Sequence, residues 1–100
     1  MEIVYASLAR RLAAGLPPPG ETAEVLDALW AHTTPDDGLE HASCRPESDR
    51  VDLLLYLLTR SDSAAVAPTP IHRAEALLSR SHRASPVLRD RYLPPRLTAV

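Results

Sequence analysis

Residues 51–58 read Val-Asp-Leu-Leu-Leu-Tyr-Leu-Leu, and seven of the eight are large and apolar. An α-helix turns about 100° per residue, so a helix built from this run carries apolar side chains nearly all round. Such a helix has to be wrapped on every side, as the hub of a domain or between two subunits. Leucine dominates the run rather than β-branched residues, which favours helix over strand. Ser48 stands where an N-cap belongs, with Asp49 in the first turn and Arg60 near the far end, both favourable to the helix dipole. The run therefore predicts a central helix over 48–60. Val51, Leu54, Leu55 and Leu58 are expected in the core. Outward residues among Leu53, Tyr56 and Leu57 are expected to cover other helices or to make a dimer contact.

The flanking segments read as shorter helices. Val4, Leu8, Leu12 and Leu16 recur every four residues and predict a first helix from Glu2 to about Leu16, ended by Pro17-Pro18-Pro19-Gly20. A second is expected from near Thr22, burying Val25, Leu26, Leu29 and Trp30 and ending before the turn signal Thr34-Pro35-Asp36-Asp37-Gly38. Leu39 to Pro46 is ambiguous, with room for one helical turn. Ser61 through Pro68 reads as a linker. Thr69-Pro70 and Ser85-Pro86 each place a capping hydroxyl before a proline, predicting helices over Pro70 to His82 and Pro86 to about Leu93. No segment stands out as a strand. The expected fold is all-α: a compact bundle of four to five short helices, with 1–93 as a single helical domain and 94–100 as an extended tail.

Composition bounds the function. One hundred residues make one domain, able to bury about two thirds of its unfolded surface. All eleven basic residues are arginine, which points to a GC-rich, bacterial coding sequence more than to selection for anion recognition. Residues 1–67 hold five arginines and eleven acids, a balance of −6, whereas 68–100 hold six arginines and two acids, a balance of +4. The favoured meaning is internal neutralisation, with a basic surface for an acidic partner as the other. A single cysteine, Cys44, excludes an intrachain disulfide. With no secretory pattern at the start and no apolar run near the roughly 20 residues needed to span a bilayer, the chain is expected to be soluble and cytoplasmic.

Few residues suggest chemistry. His41 and Cys44, with His72 and His82, could form a tetrahedral metal set, but His72 and His82 are ten apart and compact pairs are missing. Cys44 with His41 as base could make a nucleophile, yet no orienting acid or oxyanion element is recognisable. No cofactor, metal or small-molecule substrate is expected, and no enzyme. Helices at about 70–93 are spaced like a helix-turn-helix, with Arg73, Arg80, Arg83, Arg89 and Arg91 available to phosphates, so a small DNA-binding regulator is the alternative. Protein–protein interaction fits best: a non-enzymatic helical accessory protein, self-associating as a homodimer through Leu53, Tyr56 and Leu57.

Overall fold

The structure is a computed structural model that describes residues 1–12, 17–59 and 69–99. It comprises β1 (Glu2–Ala9), α1 (Glu21–Ala31), β2 (Leu39–Pro46), β3 (Arg50–Leu57), α2 (Pro70–Ala84), α3 (Pro86–Arg91) and β4 (Arg96–Ala99), with one 3-10 turn at Pro35–Asp37. The strands form one antiparallel sheet in the order β2-β3-β1-β4. The all-α bundle is thus corrected to a mixed α/β fold with three short helices.

The leucine-dense run is where the correction begins, because it is the central strand β3 and not a helix over 48–60. Val51, Leu53, Leu55 and Leu57 are fully buried, while Asp52, Leu54 and Tyr56 between them face the other way. The period of two is intact. Leu54 and Tyr56 disguise it, since a strand with apolar residues on both faces reads as one continuous run. Two expected core residues leave the core: Leu54 is half-buried on the opposite face and Leu58 is exposed. Ser48 and Asp49 lie in the three-residue turn between β2 and β3, where the Glu47 N–H donates to the Arg50 carbonyl at 2.7 Å. Short polar side chains favour turns and helix caps for one reason, their reach to nearby backbone, so the cap signal was ambiguous in kind.

β1 repeats the lesson. A spacing of four is a multiple of two and close to 3.6, so Val4 and Leu8 fit strand and helix equally. Ala6 decides: it is buried between them, and Leu12, expected on the same stripe, is 85% exposed. Leu16 and the expected linker 61–68 lie outside the described residues. The ambiguous 39–46 segment is the edge strand β2, and the expected tail supplies the other edge, with Ala99 to Arg96 pairing Val4 to Ser7.

The helices downstream follow the sequence more closely. Gly20, at φ 77°, rather than Thr22 stands at the N-cap of α1. Thr69 caps α2 by accepting from the His72 N–H at 3.3 Å, and Ser85 caps α3 by accepting from the Leu88 N–H at 3.5 Å. Trp30, expected on the buried face of α1, is 42% exposed.

β1-α1-β2 and β3-α2-α3-β4 each join parallel strands with one antiparallel strand between them. That is the split βαβ, or ferredoxin-like, arrangement. One core fills the space between sheet and helices, uniting Val4, Ala6 and Leu8 with the inward leucines of β3 and with Val25, Leu29, Leu77, Leu78, Leu88 and Tyr92. All three helices lie on that face. Among the described residues nothing packs over the other, and no helix is long and apolar enough to cross a membrane.

Candidate functional site on the open sheet face

Register places the open-face residues in cross-strand rows. His41 of β2, Tyr56 of β3 and Ile3 of β1 make the first. Ser43, Leu54, Tyr5 and Thr98 make the second, and Arg45, Asp52, Ser7 and Arg96 the third. The face is therefore apolar and aromatic toward one end of the strands and charged toward the other. In the apolar half the His41 and Tyr56 rings tilt together with centroids 5.3 Å apart. Ile3, Tyr5, Leu54 and Tyr56 adjoin one another on the two central strands.

The charged half is organised around Asp52. The Tyr5 hydroxyl donates to Asp52 Oδ1 at 2.6 Å, and Arg50 Nε donates to the same oxygen at 2.8 Å. Partial burial pushes the Asp52 carboxyl up, but these two donors more than offset it and its pKa lies below the usual value. The Tyr5 hydroxyl is pushed up by its bond to the Asp52 carboxylate, and Arg50 is held more firmly charged by the same partner. Arg45 meets Glu47 at 3.1 Å but is 82% exposed. Tyr5, Ser43, Arg45, Asp52 and Leu54 border a hollow of about 370 Å³.

Beneath this end, on the helical side, a second ionic group is closed off from solvent. Glu21 in the first turn of α1 receives two hydrogen bonds from Arg10 and one from the Tyr92 hydroxyl. Arg10 also donates to the Glu47 carbonyl at 2.9 and 3.1 Å, tying the β2–β3 turn to β1. Burial pushes the Glu21 carboxyl up, and the bonds from Arg10 and Tyr92 bring it net below the usual value; burial and the Glu21 carboxylate push Tyr92 up. Every donor here is satisfied by protein, which marks a structural clamp.

The self-association residues anticipated from sequence are split by the pleat. Tyr56 lies on the open face, whereas Leu53 and Leu57 are core residues under the helices. Tyr5, Ile3 and Leu54 are the neighbours that sequence reasoning missed; alternation within 2–9 and 50–57 was the signal that could have found them.

The arginines proposed for anion contact are also dispersed. Arg73 is buried, donating to the Asp37 and Leu58 carbonyls at 3.1 and 3.0 Å. Arg80 joins Asp37 at 2.7 Å and the His32 carbonyl. Arg91 reaches Glu24 at 3.4 Å, Arg89 donates to the Arg83 carbonyl, and Arg83 is exposed. Two of the five thus pair acids of the N-terminal half, in keeping with internal neutralisation. α3 has six residues and leads into the buried Tyr92, so the helix pair is docked on the sheet and not presented as a free hairpin.

His41 and Cys44 sit on opposite faces of β2, and burial pushes the Cys44 thiol up, away from the reactive thiolate. His82 contacts the Tyr92 carbonyl in the interior, and His72 lies in the first turn of α2. Among the described residues no three His, Cys, Asp or Glu side chains are placed to hold a metal ion. Compared with protein-family models, curated proteins and solved structures, the chain matches none, so this face is read from its geometry and chemistry alone.

Proposed function

We propose that the chain is a non-enzymatic interaction module that self-associates by laying the apolar half of its open sheet face on that of a second copy. The observation that carries this reading is the contiguity of Ile3, Tyr5, Leu54 and Tyr56 on β1 and β3. Contiguous apolar surface of this kind marks interaction sites, and face-to-face sheet packing is a common way to cover it. A self-complementary patch gives a closed two-fold dimer. Strand spacing and rise give the whole open face roughly 500 Å² per copy, so packing over its full extent, centred on the apolar half, covers about 1,000 Å² in total, at the low end for specific interfaces. The dimer is accordingly a weak one, dissociating at around micromolar concentration. A single cysteine, which leaves no intrachain disulfide to maintain, suits the reducing cytoplasm.

Sedimentation equilibrium from 1 µM to 1 mM, concentrations on the order of the expected dissociation constant and above, tests the proposal. Wild-type protein should pass from monomer to dimer, and Tyr56→Glu should remain monomeric with an unchanged circular dichroism spectrum. A wild-type chain that stays monomeric throughout removes the reading.

One feature favours a second reading. Tyr5 and Tyr56 on adjacent central strands, with Arg45 and Arg96 on the same face, resemble the stacking platform by which four-stranded sheets hold single-stranded nucleic acid. This moves the nucleic-acid alternative from the helix pair to the sheet. Salt-sensitive binding of a labelled oligonucleotide, lost in Tyr56→Ala, would favour it over self-association.

A further inference from the structure

The charged half of the open face carries an inference that rests on the self-association reading. Its third row runs Arg45, Asp52, Ser7, Arg96 from the β2 edge to the β4 edge. Asp52 is already held by Tyr5 and Arg50. Arg45 is exposed, and it meets Glu47 in a contact that contributes little. It also lies across from the Asp52 carboxylate, which lowers its unmet charge only in part because Asp52 is shared with Tyr5 and Arg50. Arg96 is exposed and has no ion pair among the described residues. Both ends of the row therefore carry guanidinium charge that the chain itself neutralises poorly.

A face-to-face dimer has its two-fold axis lying between the sheets, either across the strands or along them. Across the strands, the third row would lie over the first row of the other copy, with Arg45 over His41, Asp52 over Tyr56 and Ser7 over Ile3, and the Asp52 carboxylate would be buried against an aromatic ring at high cost. Along the strands, apolar half meets apolar half. In a four-stranded sheet that axis passes between β3 and β1, so β3 faces β1 of the second copy and β2 faces β4. Arg45 of each copy then faces Arg96 of the other, twice by symmetry. Packed sheets are about 10 Å apart, within reach of two arginine side chains extended toward each other. Like charges so opposed work against association.

We propose that a small oxyanion, of phosphate or carboxylate type, binds between Arg45 of one copy and Arg96 of the other and so tightens the dimer. The planar guanidinium fork matches both anions, and two forks from opposite sides can share one. The hollow beside Arg45 is bordered by Ser43 and also by Asp52, whose carboxylate is already held by Tyr5 and Arg50.

Sedimentation equilibrium at pH 7 in sodium chloride, sodium phosphate and sodium citrate, all at one ionic strength, tests this without assuming which anion is native. Phosphate, citrate or both should tighten the wild-type dimer about tenfold relative to chloride. Response to phosphate alone assigns a phosphoryl group; response to citrate alone, a carboxylate. Arg45→Gln and Arg96→Gln should each tighten association in chloride by a few fold, because repulsion is removed, and should abolish the oxyanion response. A dimer equally strong in all three salts overturns the anion site and leaves self-association standing. So does a full oxyanion response in Arg45→Gln. A monomer in every buffer overturns both.

Discussion

The two faces of β3 are built from nearly the same side chains and do different work. Leu53, Leu55 and Leu57 point into the helices and are fully buried; Leu54 and Tyr56 alternate with them and meet no helix among the described residues. The first set holds the fold, because each leucine touches a close-packed interior where lost methylenes leave a cavity. The second set lies outside that core, and its apolar character is the ground of the proposed association. Neighbouring residues on β3 thus differ in burial: one set packs in the core, and the other bears the proposed association. A parallel contrast exists among the charges. Glu21 is fully satisfied and closed off under the sheet, whereas Arg45 and Arg96 stand open at its rim.

The contrast is broken most forcefully from the core side. Leu55→Ala should cost about 3–4 kcal/mol of stability in urea unfolding, the range for a fully buried leucine, whereas Leu54→Ala should cost about 1 kcal/mol or less. Equal losses at the two positions would mean that the pleat does not separate them.

Next in size is the ionic clamp. Glu21→Gln leaves Arg10 buried without its counter-charge and should destabilise by about 3 kcal/mol at neutral pH. The pH dependence has a definite sign. The native Glu21 carboxyl lies below its ordinary value of 4.5, so its contribution is present above that pH and is lost as pH falls through the lowered native value. Acid unfolding of the wild type should accordingly steepen below pH 4.5, and the Glu21→Gln variant should lack that component. Identical acid profiles for the two proteins would contradict the clamp.

Smaller again is the half-buried ionic group on the open face. Asp52→Asn removes the carboxylate that holds the Tyr5 phenol, so the Tyr5 ultraviolet titration should return from its raised value toward 10.0. An unmoved titration would mean that the Tyr5–Asp52 bond does not persist in solution. Smallest in stability is Tyr56→Glu, expected within about 0.5 kcal/mol of wild type while abolishing association, which sharpens the difference between the two faces.

Much of the local structure was legible in the sequence, and the sheet was not. The caps Thr69 and Ser85, the turn at Thr34–Gly38 and the burial of Val25 and Leu29 on α1 follow from local rules that hold whatever surrounds them, whereas Trp30 on the same helix does not. The strands failed for a physical reason. Leucine carries weak strand preference, and in β3 its fate is set by pairing with β1, some fifty residues away, which propensity cannot register. In β1 the large residues Val4 and Leu8 suit either period, and the small Ala6 carried the decisive information. Tyr56 was singled out as an outward contact for the wrong reason, as part of a helix, and its partners Tyr5, Leu54 and Ile3 became visible only once register was known. The stretch 94–100 reads as an extended tail because a four-residue strand has no pattern of its own; pairing with β1 makes Arg96–Ala99 an edge strand.

The most direct test is methyl NMR of leucine-labelled protein diluted through the association range. The Leu54 methyls, on the open face, should shift with concentration, while those of Leu53, Leu55 and Leu57 hold still. Leucine signals that ignore dilution altogether, or core leucines that move while Leu54 does not, would contradict the division of this strand into a folding face and a binding face.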